Sequence, residues 1–86
     1  MSHRHEKVLA TIFHDPISGN VHWREIESLL QFLGATLEET HGARLRVVLN
    51  GVEDTLHRPH HSGVSEKHDI RHLREFLRRA GVGPGG

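Results

Sequence analysis

The sequence predicts a two-layer α+β domain, a three-stranded antiparallel sheet with helices packed on one face. Three observations carry that expectation. Apolar residues recur at helical spacing in three segments: Val8-Leu9-Ile12-Phe13, Trp23-Ile26-Leu29-Leu30-Leu33, and Ile70-Leu73-Phe76-Leu77-Ala80. Between the second and third lie two alternating runs joined by Asn50-Gly51, the dipeptide that most favours a tight hairpin because both turn residues take positive φ. A chain of 86 residues supports one domain with a small core.

The first helix should end before Asp15-Pro16, and Ser18-Gly19-Asn20 reads as a loop with Asn20 as cap for the next helix. That helix places Trp23, Ile26, Leu29, Leu30 and Leu33 on one stripe and stops at Gly34. Residues 35–40 form the first strand and His41-Gly42 a turn. A two-residue hairpin loop sets Leu49 opposite Val52, Val47 opposite Asp54, Arg46 opposite Thr55, Leu45 opposite Leu56 and Arg44 opposite His57, whereas a three-residue loop with a bulge would slip the pairing by one and send these side chains to opposite faces. One face then carries Leu45, Val47, Leu49, Val52 and Leu56, with Asp54 as the misfit, and the other carries Arg44, Arg46, Thr55 and His57. After a loop over 59–63, Ser65 is the expected cap of a last helix ending at Gly81. The domain spans 1–82, and 83–86 read as a disordered Gly/Pro tail. Leu73 and Leu77 join Trp23, Ile26, Leu30 and Leu33 in the expected core.

Lys plus Arg equals Asp plus Glu at 11 each, so any nucleic-acid contact has to come from local patches rather than a strongly positive field. There is no cysteine, hence no disulfide framework and no thiolate metal site, which is compatible with a reducing cytoplasm. No signal peptide or apolar run long enough to span a membrane is visible. Ten histidines are the compositional oddity. His3 and His5 are given no functional weight, and His14 and His22 read as surface residues flanking a loop.

Arg44 and His57, meeting across the ladder on a water-facing surface, form a candidate phosphate-handling site. A guanidinium donates in parallel to two phosphate oxygens, and an imidazole is the side chain best suited to move protons near neutral pH. Arg46 and Arg58 add charge nearby, with His60 and His61 following Pro59. On the last helix Lys67, Arg71, Arg74 and Arg78 fall at spacings of four, three and four, a continuous basic stripe that suits either solvent or a phosphate-bearing or acidic partner. A metal reading sets His57, His60 and His61 on one ion, or His68 with His72 at i, i+4; the absence of cysteine and of a well-placed carboxylate weighs against it, and no metal or cofactor is expected.

The run Trp23-Arg24-Glu25-Ile26-Glu27-Ser28-Leu29-Leu30, then Leu33-Gly34-Ala35, then Gly42-Ala43-Arg44 opening a strand, resembles the HicA family of small toxins. So does the ending, Leu56-His57-Arg58-Pro59-His60, then Leu73-Arg74-Glu75-Phe76-Leu77 and Ala80-Gly81-Val82. The resemblance covers residues 6–82. It implies a fold like the double-stranded-RNA-binding domain, ribosome-independent cleavage of messenger RNA in the cytoplasm, and a HicB-like antitoxin as partner. HicA toxins typically carry Gly-Ser-His where this chain has Gly42-Ala43-Arg44, so the family's catalytic histidine is missing from its usual place. His57 is then the first choice as acid/base, with Arg44 on phosphate and His60 assisting; His41 is a further candidate, and loss of cleavage is the remaining alternative. Arg46, Arg58, Lys67, Arg71, Arg74 and Arg78 are the expected RNA contacts. The rival expectation is a non-catalytic RNA- or protein-binding module of the same fold.

Overall fold

In a computed structural model, residues 3–59 and 63–84 are described. The elements in chain order are α1 (His3–Ile12), β1 (Val21–His22), α2 (Trp23–Phe32), β2 (Thr36–Glu39), β3 (Arg44–Leu49), β4 (Val52–His57), β5 (Val64–Ser65) and α3 (Lys67–Arg79). The main sheet is antiparallel in the order β2-β3-β4, and its inner face is covered by helices. None of the described helices is long and apolar enough to cross a membrane.

Asn50 and Gly51 both take positive φ, 51° and 81°, so the hairpin closes in the tight form and every cross-strand pair from Leu49–Val52 out to Arg44–His57 falls in the expected register. Alternation then sorts the side chains. Leu45, Val47, Leu49 and Leu56 are buried, whereas Arg44, Arg46, Thr55 and His57 are exposed. β2 pairs with β3 through Thr36–Val48 and Glu38–Arg46, which puts Glu38 on the outer face beside Arg46.

α2 and α3 pack against β2 and β4 respectively, and α1 lies against both helices. Together Ile12, Ile26, Leu29, Leu30, Ile70, Phe76 and Leu77 bury almost completely, each a contribution of about 1.5–3 kcal/mol. Leu73 is also buried, while Leu33 is only partly so. α3 ends in a Schellman closure: Gly81 takes φ 80° and donates to the Arg78 carbonyl at 3.0 Å, and Val82 donates to that of Leu77 at 2.8 Å. The hairpin tip locks onto this end, since Asn50 Nδ2 donates to the Ala80 carbonyl at 2.8 Å.

Three local expectations are corrected. Asn20 does not cap α2: it takes φ 62° in the preceding loop, and the cap position is His22, which contributes no side-chain bond. Ser65 does not cap α3 either. It is buried in β5, and Glu66 is the cap, in a reciprocal capping box with Asp69. Both shifts have one cause, the two-residue ladder β1-β5, in which Val21 pairs with Ser65 and His22 with Val64. Too short to leave a periodic signal, it draws the residues before each helix into extended conformation.

The third correction concerns the basic stripe. Arg74 is buried, at 6% exposure, and so interrupts it. Its Nε donates to the Ile12 carbonyl at 2.9 Å, Nη2 to the His14 carbonyl at 2.6 Å and Nη1 to Asp15 Oδ1 at 3.0 Å, with the guanidinium 5.9 Å from the Phe13 ring centre. The carbonyls at the end of α1 lack intrahelical partners, and Arg74 supplies donors to them. It is unavailable to RNA.

Candidate functional site

The outer face of the sheet is built from alternate positions on three strands: Thr36 and Glu38 from β2, Arg44, Arg46 and Val48 from β3, and Glu53, Thr55 and His57 from β4. At one end of this face Arg44 and His57 are direct partners. The ladder continues one bond further, as the Arg58 amide donates to the Ala43 carbonyl at 2.6 Å. On the other side of β3, the Arg44 carbonyl accepts from the Thr40 amide at 3.1 Å and from its hydroxyl at 3.2 Å. The backbone at Arg44 is thus held from both neighbours, while its guanidinium makes no ion pair among the described residues.

Arg46 is differently placed. It grips Glu53 with two nitrogens, Nη2 on Oε1 and Nε on Oε2, both at 3.0 Å, and reaches Glu38 at 3.6 Å. The hydrogen bond from Arg46 holds the Glu53 carboxyl below its ordinary range, and the same bond raises the guanidinium's own value. Arg58 is half-buried and pairs with Glu39 at 2.7 Å. The cationic cluster expected around His57 is therefore partly neutralised by carboxylates. Glu38 stands directly across the ladder from Arg46, but no motif in the sequence fixes the register of β2 on β3.

The remaining candidates are dispersed. Lys67 and Arg71 are exposed on α3; Arg78 is exposed but bonded to Glu75 at 3.1 Å and set over the Phe13 ring. His41 is exposed in the connection between β2 and β3. His60 and His61 lie outside the described residues. The structure does not bring His68 and His72 to one point: His68 lies 3.4–3.5 Å from Asp69 and Glu66, and His72 Nε2 lies 3.1 Å from Asp54. Glu66, His68 and Asp69 bring ligand atoms within 4.8 Å of one another, but both carboxylates are already used in the capping box of α3.

Asp54, the misfit of the apolar face, is explained by what packs against it. Its carboxylate accepts from its neighbour's amide, Thr55 N at 2.7 Å, and from Arg79 and His72 on α3. Burial pushes the Asp54 carboxyl up, but the Thr55 amide, His72 and Arg79 outweigh it and leave the group below its ordinary value. Asp54 is thus a tie between β4 and α3 beneath the sheet, one strand position from the outer face. Behind His57, a small cavity is lined also by Trp23, Ser65, Asp69 and His72, and the buried Trp23 Nε1 has no hydrogen-bond partner among the described residues.

Comparison with protein-family models, with curated proteins and with solved structures finds no match for this chain.

Proposed function

We propose that this chain is a HicA-like toxin: a ribosome-independent, metal-independent endoribonuclease that cleaves messenger RNA and is neutralised by a HicB-like antitoxin. The observation that carries the reading is the Arg44–His57 pair, an imidazole and a guanidinium set opposite each other on an exposed sheet face, the guanidinium in no ion pair among the described residues. The three-stranded antiparallel sheet with helices on one face agrees with the double-stranded-RNA-binding fold that the resemblance implies. In the proposed reaction His57 takes the proton of a ribose 2′-hydroxyl as the 2′-oxygen attacks phosphorus. The P–O5′ bond breaks, and the departing 5′-oxygen recovers one proton from His57 or from His60. Arg44 donates to the non-bridging oxygens as their charge builds. The products are a 2′,3′-cyclic phosphate and a 5′-hydroxyl, with no net proton change and no water consumed.

A second reading, a non-catalytic RNA- or protein-binding module, is favoured by Glu38, Glu53 and Glu39, which already engage Arg46 and Arg58. One experiment separates the two. Purified protein is incubated with a messenger-RNA transcript in chelator, and the product ends are analysed. Cyclic-phosphate ends, with cleavage reduced about 10²- to 10⁴-fold in His57→Ala and an unchanged melt, support the nuclease. RNA retention without cleavage supports the module. Undiminished cleavage by His57→Ala moves the acid/base role to His60 or His41.

A further inference from the structure

Away from the main sheet, α1, α2 and the end of β1 form a concave pocket lined by Arg4, His5, Val8, His22, Arg24, Glu25 and Ser28. Arg46, Arg58, Arg74, Arg78 and Arg79 each face a carboxylate within ion-pair distance, whereas Arg4 and Arg24, like Arg44 and Arg71, make no ion pair among the described residues. Arg4 and Arg24 differ from the other two in lining one pocket together. Two arginines, two histidines and a serine line it, with Glu25 as the single acidic residue. Two of these groups are held in place: His5 Nε2 and Ser28 Oγ are hydrogen-bonded at 2.9 Å, and the His5 ring stacks on Phe32 with centroids 4.5 Å apart. Val8, buried, closes the apolar side of the pocket.

We infer that this pocket is a phosphate-binding site, independent of the proposed catalytic face. Donor forks from Arg4 and Arg24 suit the oxygens of a tetrahedral anion, and His5, His22 and Ser28 add short-range polar partners. The size limits the ligand. At ≈ 160 Å³ the pocket is well below the roughly 300–1,000 Å³ of sites that engulf a small organic molecule and suits the phosphate group, while a wider groove that shares Arg4, Val8 and Glu25 leaves room for whatever bears it. That group is either free phosphate or a phosphate carried on RNA.

The test is an NMR titration of the full chain with inorganic phosphate, following backbone amides and the histidine rings. Saturable shifts centred on His5, His22, Arg24 and Ser28 are expected. Arg24→Ala, an exposed change to the best helix former, should weaken binding about tenfold or more while leaving the rest of the spectrum intact. Arg4→Ala should do the same, and Arg44→Ala should change nothing at this pocket. Shifts that fail to saturate, that spread evenly to Arg44 and Arg71, or that persist in both pocket variants would overturn the site. A nucleoside monophosphate and a short RNA then identify the source: tighter binding of either assigns a carried phosphate, and equal binding assigns the free ion.

Discussion

The inner flank of α3 and the outer face of the sheet both hold arginines that the sequence marked as contacts, and the fold employs them in opposite ways. Arg74 is buried against the end of α1 with all three kinds of guanidinium nitrogen engaged, and Arg79 ties the same helix to Asp54. Arg44 stands on an exposed strand with its backbone held and its guanidinium in no ion pair among the described residues. The difference shows that position on a helical wheel or strand face identifies a cation's direction but not its employment. What decides employment is which carbonyls and carboxylates other elements deliver to the same point.

The strongest way to break this contrast is Arg74→Ala. It leaves two carbonyls and a carboxylate at the end of α1 without their donor, and truncating one partner of a buried charged pair costs about 3–5 kcal/mol. Asp15 is itself exposed and can be re-hydrated, which places the expected loss at the lower end, about 3 kcal/mol. Arg71→Ala, one turn away and exposed, should stay within about 0.5 kcal/mol. Urea denaturation of both variants measures this, and equal stabilities would show that Arg74 is not a clamp.

Most of the fold was legible where a local rule strongly favours one outcome. Asn50-Gly51 favours the two-residue turn over a bulged three-residue loop, and that turn dictates the whole β3–β4 register and the faces of Leu45, Arg46, Leu56 and His57. Gly34 and Gly81 each end a helix by the same logic. The misreadings fall where long-range partners decide. Ser65 looked like a cap until Val21 paired with it, Arg74 looked like surface until α1 docked on it, and Asp54 looked misplaced until Arg79 and His72 reached it. In the candidate site the Arg44–His57 pairing was readable from the turn, but the neutralisation of Arg46 and Arg58 depends on Glu38 and Glu39 in a strand whose register no motif announces.

A middle-sized effect comes from acid. Asp54 sits below its ordinary value of 3.8, so its contribution to stability is fully present above that value and is lost as pH falls through the lower folded-state value. Asp54→Asn removes the charge but keeps the shape, and should cost about 1–3 kcal/mol near pH 6. The gap between parent and variant should then narrow as pH falls below about 4, in melts taken from pH 6 to 2.5. A gap that stays constant throughout would mean that Arg79 and His72 do not favour the ionised form.

The smallest effect on stability, and the sharpest on the proposed function, is expected at the sheet face. Arg44→Ala should leave the melt within about 0.5 kcal/mol, because the side chain it removes is exposed and makes no ion pair among the described residues. If that guanidinium meets RNA phosphate, its loss removes one released counterion. The slope of log affinity against log salt should then become shallower by about 0.7, the value per phosphate contact on a single strand. Arg46→Ala provides the comparison within the same strand. Its charge is already shared between Glu53 and Glu38, so removing it frees two carboxylates to repel the backbone rather than erasing a phosphate contact. Its affinity should fall while the slope stays much closer to the parent's than in Arg44→Ala, since no counterion release from a phosphate contact is lost. Filter-binding series from low to high salt on the two variants test this, and identical slopes for both would mean that the fold makes no distinction between the paired and the unpaired arginine.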